Sequence, residues 1–155
     1  GLAAAQLREV HLDLIVSSPL RRAVVTAEII AESHSVPIVL ADALKERNFG
    51  SFTGMKVQQV RKKYELKSVA EVHDLNPADG ESFEEMAGRF FAQISIILRE
   101  NGGEILIVGH GGLFRSFMWV TQGQKSVCPN AVPYLFRPRN GSWDLVKLSD
   151  YRKEA

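Results

Sequence analysis

Polar side chains follow two apolar stretches of the sequence, at points where strands of a sheet are expected to end. His110 follows residues 104–109 and precedes two glycines, and Arg22 lies one turn into the helix predicted after residues 12–16. A histidine at such a place can hydrogen-bond phosphate or carry a proton, and a guanidinium can grip phosphate through two parallel hydrogen bonds. Each side chain also has a plain structural interpretation, as a histidine at a strand end or as a solvated surface arginine.

Glu46 is the third residue with candidate chemistry. It lies in a predicted loop, residues 44–55, that has glycine at two positions. A loop carboxylate beside bound phosphate could protonate the leaving oxygen, although such a residue taken alone is more often an ordinary surface glutamate. Arg21 and Arg22 point in different directions around a helix, so we expect only one of them to face the strand ends.

The elements that must position these residues alternate between apolar strands and helices. Ser18 suits a helix N-cap and Pro19 the first helical position, while Ser82 and Glu85 match a capping box. Strands are predicted at residues 12–16, 36–40 and 104–109, helices at 19–31, 56–64, 82–100 and up to 121, and a hairpin with an Asn-Gly turn at 132–148. This order predicts an α/β fold, a three-layer α/β/α sandwich with a mostly parallel sheet and an antiparallel C-terminal hairpin at its edge. Ligands bind such sheets beyond the carboxyl ends of the strands.

Composition limits the class of protein. The 155 residues suffice for one domain, and a formal net charge of +1 without a basic stripe argues against a nucleic-acid partner. The longest apolar runs are far too short to span a bilayer, and no signal peptide is recognisable, so no membrane partner is expected. Cys128 is the only cysteine, which rules out an internal disulfide and favours a reducing compartment, the cytoplasm.

Four segments, taken in order along the chain, resemble motifs of the histidine phosphatase superfamily, which includes the phosphoglycerate mutases. Residues 17–27 are similar to the family's second conserved motif, a strand end and helix start that carries an arginine, and residues 44–54 are similar to the loop with the proton-donor acid. Residues 79–82 resemble the short element before a long helix, and residues 107–112 resemble the strand that ends in the second of the family's two active-site histidines. Their order and approximate spacing agree across almost the whole chain. The resemblance therefore implies a phosphoglycerate mutase-like fold, as a single domain over residues 1–155.

The resemblance also implies a metal-independent phosphomonoesterase that works in two steps through a phosphohistidine. In this scheme Arg22 and His110 surround the transferred phosphoryl group, and Gly111 offers its backbone N–H. Glu46 protonates the leaving group. No metal and no cofactor are implied, because clustered positive side chains take the place of the metal.

The expected partner is a small phosphorylated substrate or inorganic phosphate, and a homodimer stays open. The chain lacks the long middle insertion of glycolytic mutases, which favours a phosphatase over a mutase.

One motif of the family does not occur in these 155 residues, namely the strand that ends in Arg-His-Gly and carries the nucleophilic histidine. His11 precedes a strand, His34 lies at a helix C-terminus and His73 lies in the irregular middle, so none of them is expected to be the nucleophile. We therefore expect the first strand and its loop, roughly thirty residues on the scale of a βα unit, to lie outside this sequence.

Other functions fit parts of the sequence. A shortened relative without the nucleophile would bind phosphate-bearing ligands or a partner without turnover, and a mutase-type enzyme would transfer the phosphoryl group to an acceptor. A serine hydrolase is disfavoured because Phe52 occupies the serine position of a Gly-x-Ser-x-Gly pattern at residues 50–54. A zinc site at His110 and Cys128 lacks the usual ligand clusters.

Overall fold

A computed structural model describes residues 1–126 and 128–154 of the protein. The helices are α1 (Leu2–Leu7), α2 (Arg21–His34), α3 (Val57–Lys63), α4 (Val69–Asp74), α5 (Phe83–Glu100), α6 (Gly111–Gln122) and α7 (Leu148–Glu154). The strands are β1 (Leu14–Ser17), β2 (Ile38–Leu40), β3 (Ile105–Val108), β4 (Tyr134–Arg139) and β5 (Ser142–Lys147). Two single 3-10 turns, Asp42–Leu44 and Gly50–Phe52, lie in the loop that carries Glu46.

Three of the strands form a parallel sheet in the order β2-β1-β3. Ile15 pairs with Ile38 on one side of β1, and Ser17 pairs with Val108 on the other. Because β1 and β3 are parallel neighbours in this register, their carboxyl ends lie side by side. The segments that start with Ser18 and with Gly109 therefore leave the sheet at the same edge.

Successive residues of β1 face opposite sides of the sheet, as the pleat of a strand requires. Ile15 is fully buried in a cluster that includes Ala27 and Ile30 of α2. Val16 packs in a second cluster, formed mainly by α5 and α6. Full burial of a side chain such as Ile15 contributes about 1.5–3 kcal/mol to stability. Helices thus cover both faces of the sheet, which confirms the α/β class and the three layers predicted from the sequence.

The C-terminal hairpin is placed differently from the prediction. Within the described residues β4 and β5 pair with each other and not with the parallel sheet, so they form a sheet of their own. Aromatic packing holds the hairpin on α6: the ring of Phe117 lies 4.2 Å from that of Phe136 and 5.4 Å from that of Trp143, centroid to centroid. The turn itself is as predicted, because Asn140 and Gly141 both have the positive φ that a type I′ turn needs.

Two helices show where the N-cap rules hold and where they fail. In α5, Ser82 Oγ accepts from the Glu85 backbone N–H at 3.0 Å and the Glu85 carboxylate accepts from the Ser82 N–H at 2.7 Å, as predicted. In α2 the first helical residue is Arg21, with Leu20 as an N-cap that has no side-chain bond. The prediction that Ser18 caps this helix and that Pro19 is its first residue is wrong, because the helix begins two residues later. The Ser18 hydroxyl accepts from the Leu20 backbone N–H, ahead of the helix, and also contacts a residue described below.

Helices α4 and α7 were not predicted from the sequence. Both are short, with six and seven residues, and α4 lies in the irregular middle of the chain. Over the ranges that the structure describes, no helix is long and apolar enough to cross a membrane.

Candidate active site

Ser18 and His110 meet where β1 and β3 end. The Ser18 backbone N–H donates to the Val108 carbonyl at 2.9 Å, which continues the strand pairing by one residue. The Nε2 atom of His110 lies 2.8 Å from Ser18 Oγ. On the other side of the ring, Arg22 Nε donates to His110 Nδ1 at 3.2 Å. The structure thus brings together Arg22 and His110, which lie 88 positions apart in the sequence.

The surroundings of His110 disfavour its charged form. Burial of about half of the imidazole lowers its pKa below the ordinary histidine value, the negative charge of Glu46 raises it, and the positive charges of Arg22 and Arg89 lower it further. The net direction is downward. In this site His110 is therefore a neutral ring that can accept a proton when negative charge arrives.

Glu46 lies against the first turn of α6. Its Oε1 accepts from the Arg47 backbone N–H at 3.0 Å, and its Oε2 is 3.5 Å from the backbone nitrogen of Gly112. The approach requires glycine, because a Cβ atom on Gly112 would lie 2.3 Å from Glu46 Oε1. The second glycine of His110-Gly-Gly112 therefore makes room for the acid, a role that the sequence analysis did not assign.

A partly buried ion pair fixes the loop that carries the acid. Arg89 of α5 makes hydrogen bonds to both carboxylate oxygens of Glu81 and to the Ala43 carbonyl, and its guanidinium also reaches the Glu46 carbonyl at 3.4 Å. The Glu81 carboxylate in turn accepts from the Asn48 backbone N–H at 3.3 Å. The sequence does not reveal this pair, because Glu81 lies in the short 79–82 element and Arg89 in the middle of a helix.

Arg47 ties the same loop to α4. Its side chain is only 5% exposed, and it donates to the carbonyls of Glu81, His73 and Leu75 at 2.6–2.7 Å. A buried guanidinium needs such a full set of acceptors, because an unpaired charge would be costly. Nothing in the sequence separates this arginine from its solvated neighbours. It holds the stretch between α4 and α5 against the acid loop.

The other candidates are placed as follows. Gly111 is the first residue of α6, next to His110, and its Cα has open space around it. Arg21 and Arg22 are both exposed, and it is the Arg22 side chain that contacts His110. The ring nitrogens of His34 lie 2.8 Å and 2.9 Å from the carbonyl oxygens of Ile30 and Leu7, which is a structural role.

His11 is exposed beside Asp13, and His73 is half-buried near Arg115. Cys128 contacts the carbonyls of Pro129 and Val132 and is free. Within the described ranges, no three His, Cys, Asp or Glu side chains are grouped so that they could hold a metal ion.

The sequence profile of the histidine phosphatase superfamily, branch 1, matches residues 1–154. The chain belongs to this superfamily, as the motifs of the sequence indicated. It is 31% identical to phosphoserine phosphatase 1 of Hydrogenobacter thermophilus over 110 residues, which are 69% of this chain and 52% of that protein. It is 32% identical to a 2,3-bisphosphoglycerate-dependent phosphoglycerate mutase of Cytophaga hutchinsonii over 124 residues, 75% of this chain and 58% of the mutase.

Among solved structures, the complex of a mycobacterial glucosyl-3-phosphoglycerate phosphatase with inorganic phosphate shares the fold. The TM-score is 0.82 at 23% identity, over 94% of this chain and 80% of that one. At this identity the likeness concerns the fold alone. The chain spans just over half the length of these and other curated relatives that it matches.

Proposed function

We propose that this chain is most of a metal-independent phosphomonoester hydrolase, which forms a phosphohistidine on a histidine outside these 155 residues. The observation that carries the proposal is the contact between Arg22 and His110 at the ends of β1 and β3. The carboxylate of Glu46 contacts the backbone nitrogen of Gly112, two residues after His110. This reaction requires a cation and an imidazole to stabilise the phosphoryl oxygens, and an acid to protonate the leaving group.

The sheet offers a place for the strand that would carry the nucleophile. In the described residues β3 pairs with β1 alone, so its other edge is free, and the hairpin β4–β5 lies in a separate sheet. An unpaired edge is a template for a further strand. A parallel strand added at this edge would end next to His110, which supports a nucleophile delivered from outside the present sequence.

The proposed reaction has two steps. The nucleophilic histidine attacks phosphorus, the bond from phosphorus to the leaving oxygen breaks, and Glu46 gives that oxygen a proton. Water then attacks the phosphohistidine, the bond from nitrogen to phosphorus breaks, and Glu46 accepts the proton that water loses. Arg22 and His110 stabilise the charge on the transferred group in both steps, and the Gly111 N–H adds a further donor.

The proton on Glu46 has to be accounted for. In the free site its two oxygens lie at the backbone N–H groups of Arg47 and Gly112, at 3.0 Å and 3.5 Å. We propose that the substrate monoanion brings the proton into the site. Turnover is then expected to rise as the pH falls from about 8 to about 6, where phosphate monoesters gain their second proton.

The substrate is proposed to be a small phosphorylated metabolite, in the cytoplasm. Phosphoserine is the first compound to test, because one of the relatives is a phosphoserine phosphatase. The half-buried Cys128, the only cysteine, favours a reducing compartment.

The test is a turnover assay on the protein with its natural N-terminus, with phosphoserine and p-nitrophenyl phosphate, in excess EDTA. We expect the protein to release inorganic phosphate at a rate that EDTA does not change. We expect His110→Ala to abolish this release. Transfer of the phosphoryl group to a phosphoglycerate acceptor, in preference to water, would favour the mutase alternative. Binding of phosphate without any turnover would favour the inactive relative, and no binding would refute the proposed site.

A further inference from the structure

Both ring nitrogens of His110 have a protein partner. Arg22 Nε donates to Nδ1 at 3.2 Å, and Ser18 Oγ lies 2.8 Å from Nε2. A guanidinium keeps its protons at any accessible pH, so Nδ1 must present its lone pair to Arg22. The single proton of the neutral ring then lies on Nε2, where it is donated to Ser18 Oγ.

Ser18 is well placed to hold that proton. The residue is fully buried, and its backbone N–H is fixed on the Val108 carbonyl at 2.9 Å. Its Oγ also lies 3.3 Å from the Leu20 backbone nitrogen, which donates to it. The hydroxyl oxygen therefore accepts from two sides and cannot turn away from the ring without losing a bond in a buried place.

The charges around His110 come from three elements. Arg22 on α2 and Arg89 on α5 oppose a positive ring, whereas Glu46 on the acid loop favours one. Burial of the ring opposes its positive charge more strongly than either arginine does. The free site thus presents the Arg22 guanidinium beside a neutral imidazole.

We propose that Ser18 is a positioning residue, which holds His110 by Nε2 and so leaves Nδ1 as the atom that meets an incoming anion. The proposal rests on the proposed function in that the anion is a phosphate group. An anionic oxygen attracts Arg22 away from Nδ1. Nδ1 then takes one proton from the acid form of the buffer, which is left as its conjugate base; the new N–H bond points at the anion while Nε2–H stays on Ser18. Binding of the anion is accordingly coupled to the uptake of one proton.

The role of Ser18 is tested in the free protein, without turnover, by ¹⁵N NMR of the His110 imidazole. We expect the Nε2–H tautomer in the wild type. In Ser18→Ala, and in Ser18→Cys, whose larger thiol is only a weak acceptor, the tautomer ratio should fall about tenfold, the effect of one buried hydrogen bond. The wild-type spectrum needs no variant, and an Nδ1–H tautomer there would overturn the proposal.

A matched control is Ser116→Ala. Ser116 is also fully buried, and its Oγ donates to the Leu113 carbonyl at 2.8 Å on α6. Its loss costs a buried hydrogen bond without touching His110, so the tautomer ratio should stay at the wild-type value. An equal change in Ser116→Ala and Ser18→Ala would mean that the ratio reports general loosening, and it would overturn the proposal.

Proton uptake is tested by calorimetric titration with sulfate, a dianion throughout the neutral range, in two buffers of different ionisation enthalpy. We expect about one proton bound per sulfate near pH 8, and a fall in affinity of about tenfold per pH unit. Binding without uptake would overturn the role of Nδ1. Failure of sulfate to bind at all would refute the anion site of the proposed function, while the tautomer experiment would still decide the role of Ser18.

Discussion

Gly112→Ala should move the carboxylate of Glu46 while changing the stability of the fold very little. The new Cβ would lie 2.3 Å from Glu46 Oε1 and 3.2 Å from Met86 Sδ, whereas ordinary van der Waals contact begins near 3.4 Å. The Glu46 carboxylate must therefore move by about 1 Å, which its flexible side chain can do at little cost. A misplacement of about 1 Å can lower a rate by about 100-fold.

Stability should change little, because two effects oppose each other. Alanine is better than glycine in a helix by up to about 1 kcal/mol, and the displaced carboxylate loses one long bond to the Gly112 N–H. We expect the thermal midpoint to stay within a few degrees of the wild type. Gly88→Ala is the control, since a Cβ there has no neighbour within 4 Å, and it should leave turnover unchanged.

The assay compares two leaving groups. Hydrolysis of an alkyl phosphate, whose alkoxide needs a proton, should fall about 100-fold in Gly112→Ala, in line with the contribution of general acids. Hydrolysis of p-nitrophenyl phosphate should fall much less, because its phenolate leaves without help. Equal losses for both esters, or no loss for either, would refute the assignment of Glu46 as the acid that Gly112 admits.

Other consequences can be measured on the same site. Arg22→Ala should weaken phosphate binding at least about tenfold in a titration, because its guanidinium reaches His110, whereas Arg21→Ala should have almost no effect; equal effects would mean that the wrong arginine was chosen. His110→Ala should remove most turnover, about 100-fold or more, and near-normal rates would end its catalytic assignment. Burial raises the pKa of Asp74, but the hydrogen bonds and charges of Lys125 and Arg115 together lower it below the ordinary value of 3.8, so these contacts stabilise the fold above pH 3.8 and not below the lowered pKa. Asp74→Asn should therefore lower the free energy of unfolding by no more than about 1 kcal/mol at neutral pH and leave it unchanged at strongly acid pH. Denaturant melts at the two pH values measure this, and an equal loss at both would contradict the prediction.

The sequence predicted the parts of the site that follow local rules. The apolar runs before Ser17 and Gly109 identify β1 and β3, whose parallel pairing brings Arg22 and His110 together. Glu46 was predicted only through the resemblance of its loop to a family motif, and the structure places it at α6 beside those residues.

The rest depends on contacts that no local pattern encodes. Ser18 precedes a proline and matches a helix cap, but its hydroxyl also binds a half-buried imidazole 92 positions away. Arg47 and Arg89 read as solvated charges in the sequence, although both lie in networks of carbonyl and carboxylate acceptors. Only the folded chain shows that these long-range bonds fix the acid loop.

The central claim is that a phosphohistidine forms beside Arg22 and His110. The most direct measurement is the intact mass of the protein with its natural N-terminus, taken with and without brief exposure to phosphoserine or p-nitrophenyl phosphate. The account predicts a mass above the 17.2 kDa of these 155 residues, and a transient gain of one phosphoryl group that acid removes and Arg22→Ala diminishes. A mass equal to that of the 155 residues, with no phosphoryl group gained from either ester, would contradict catalysis.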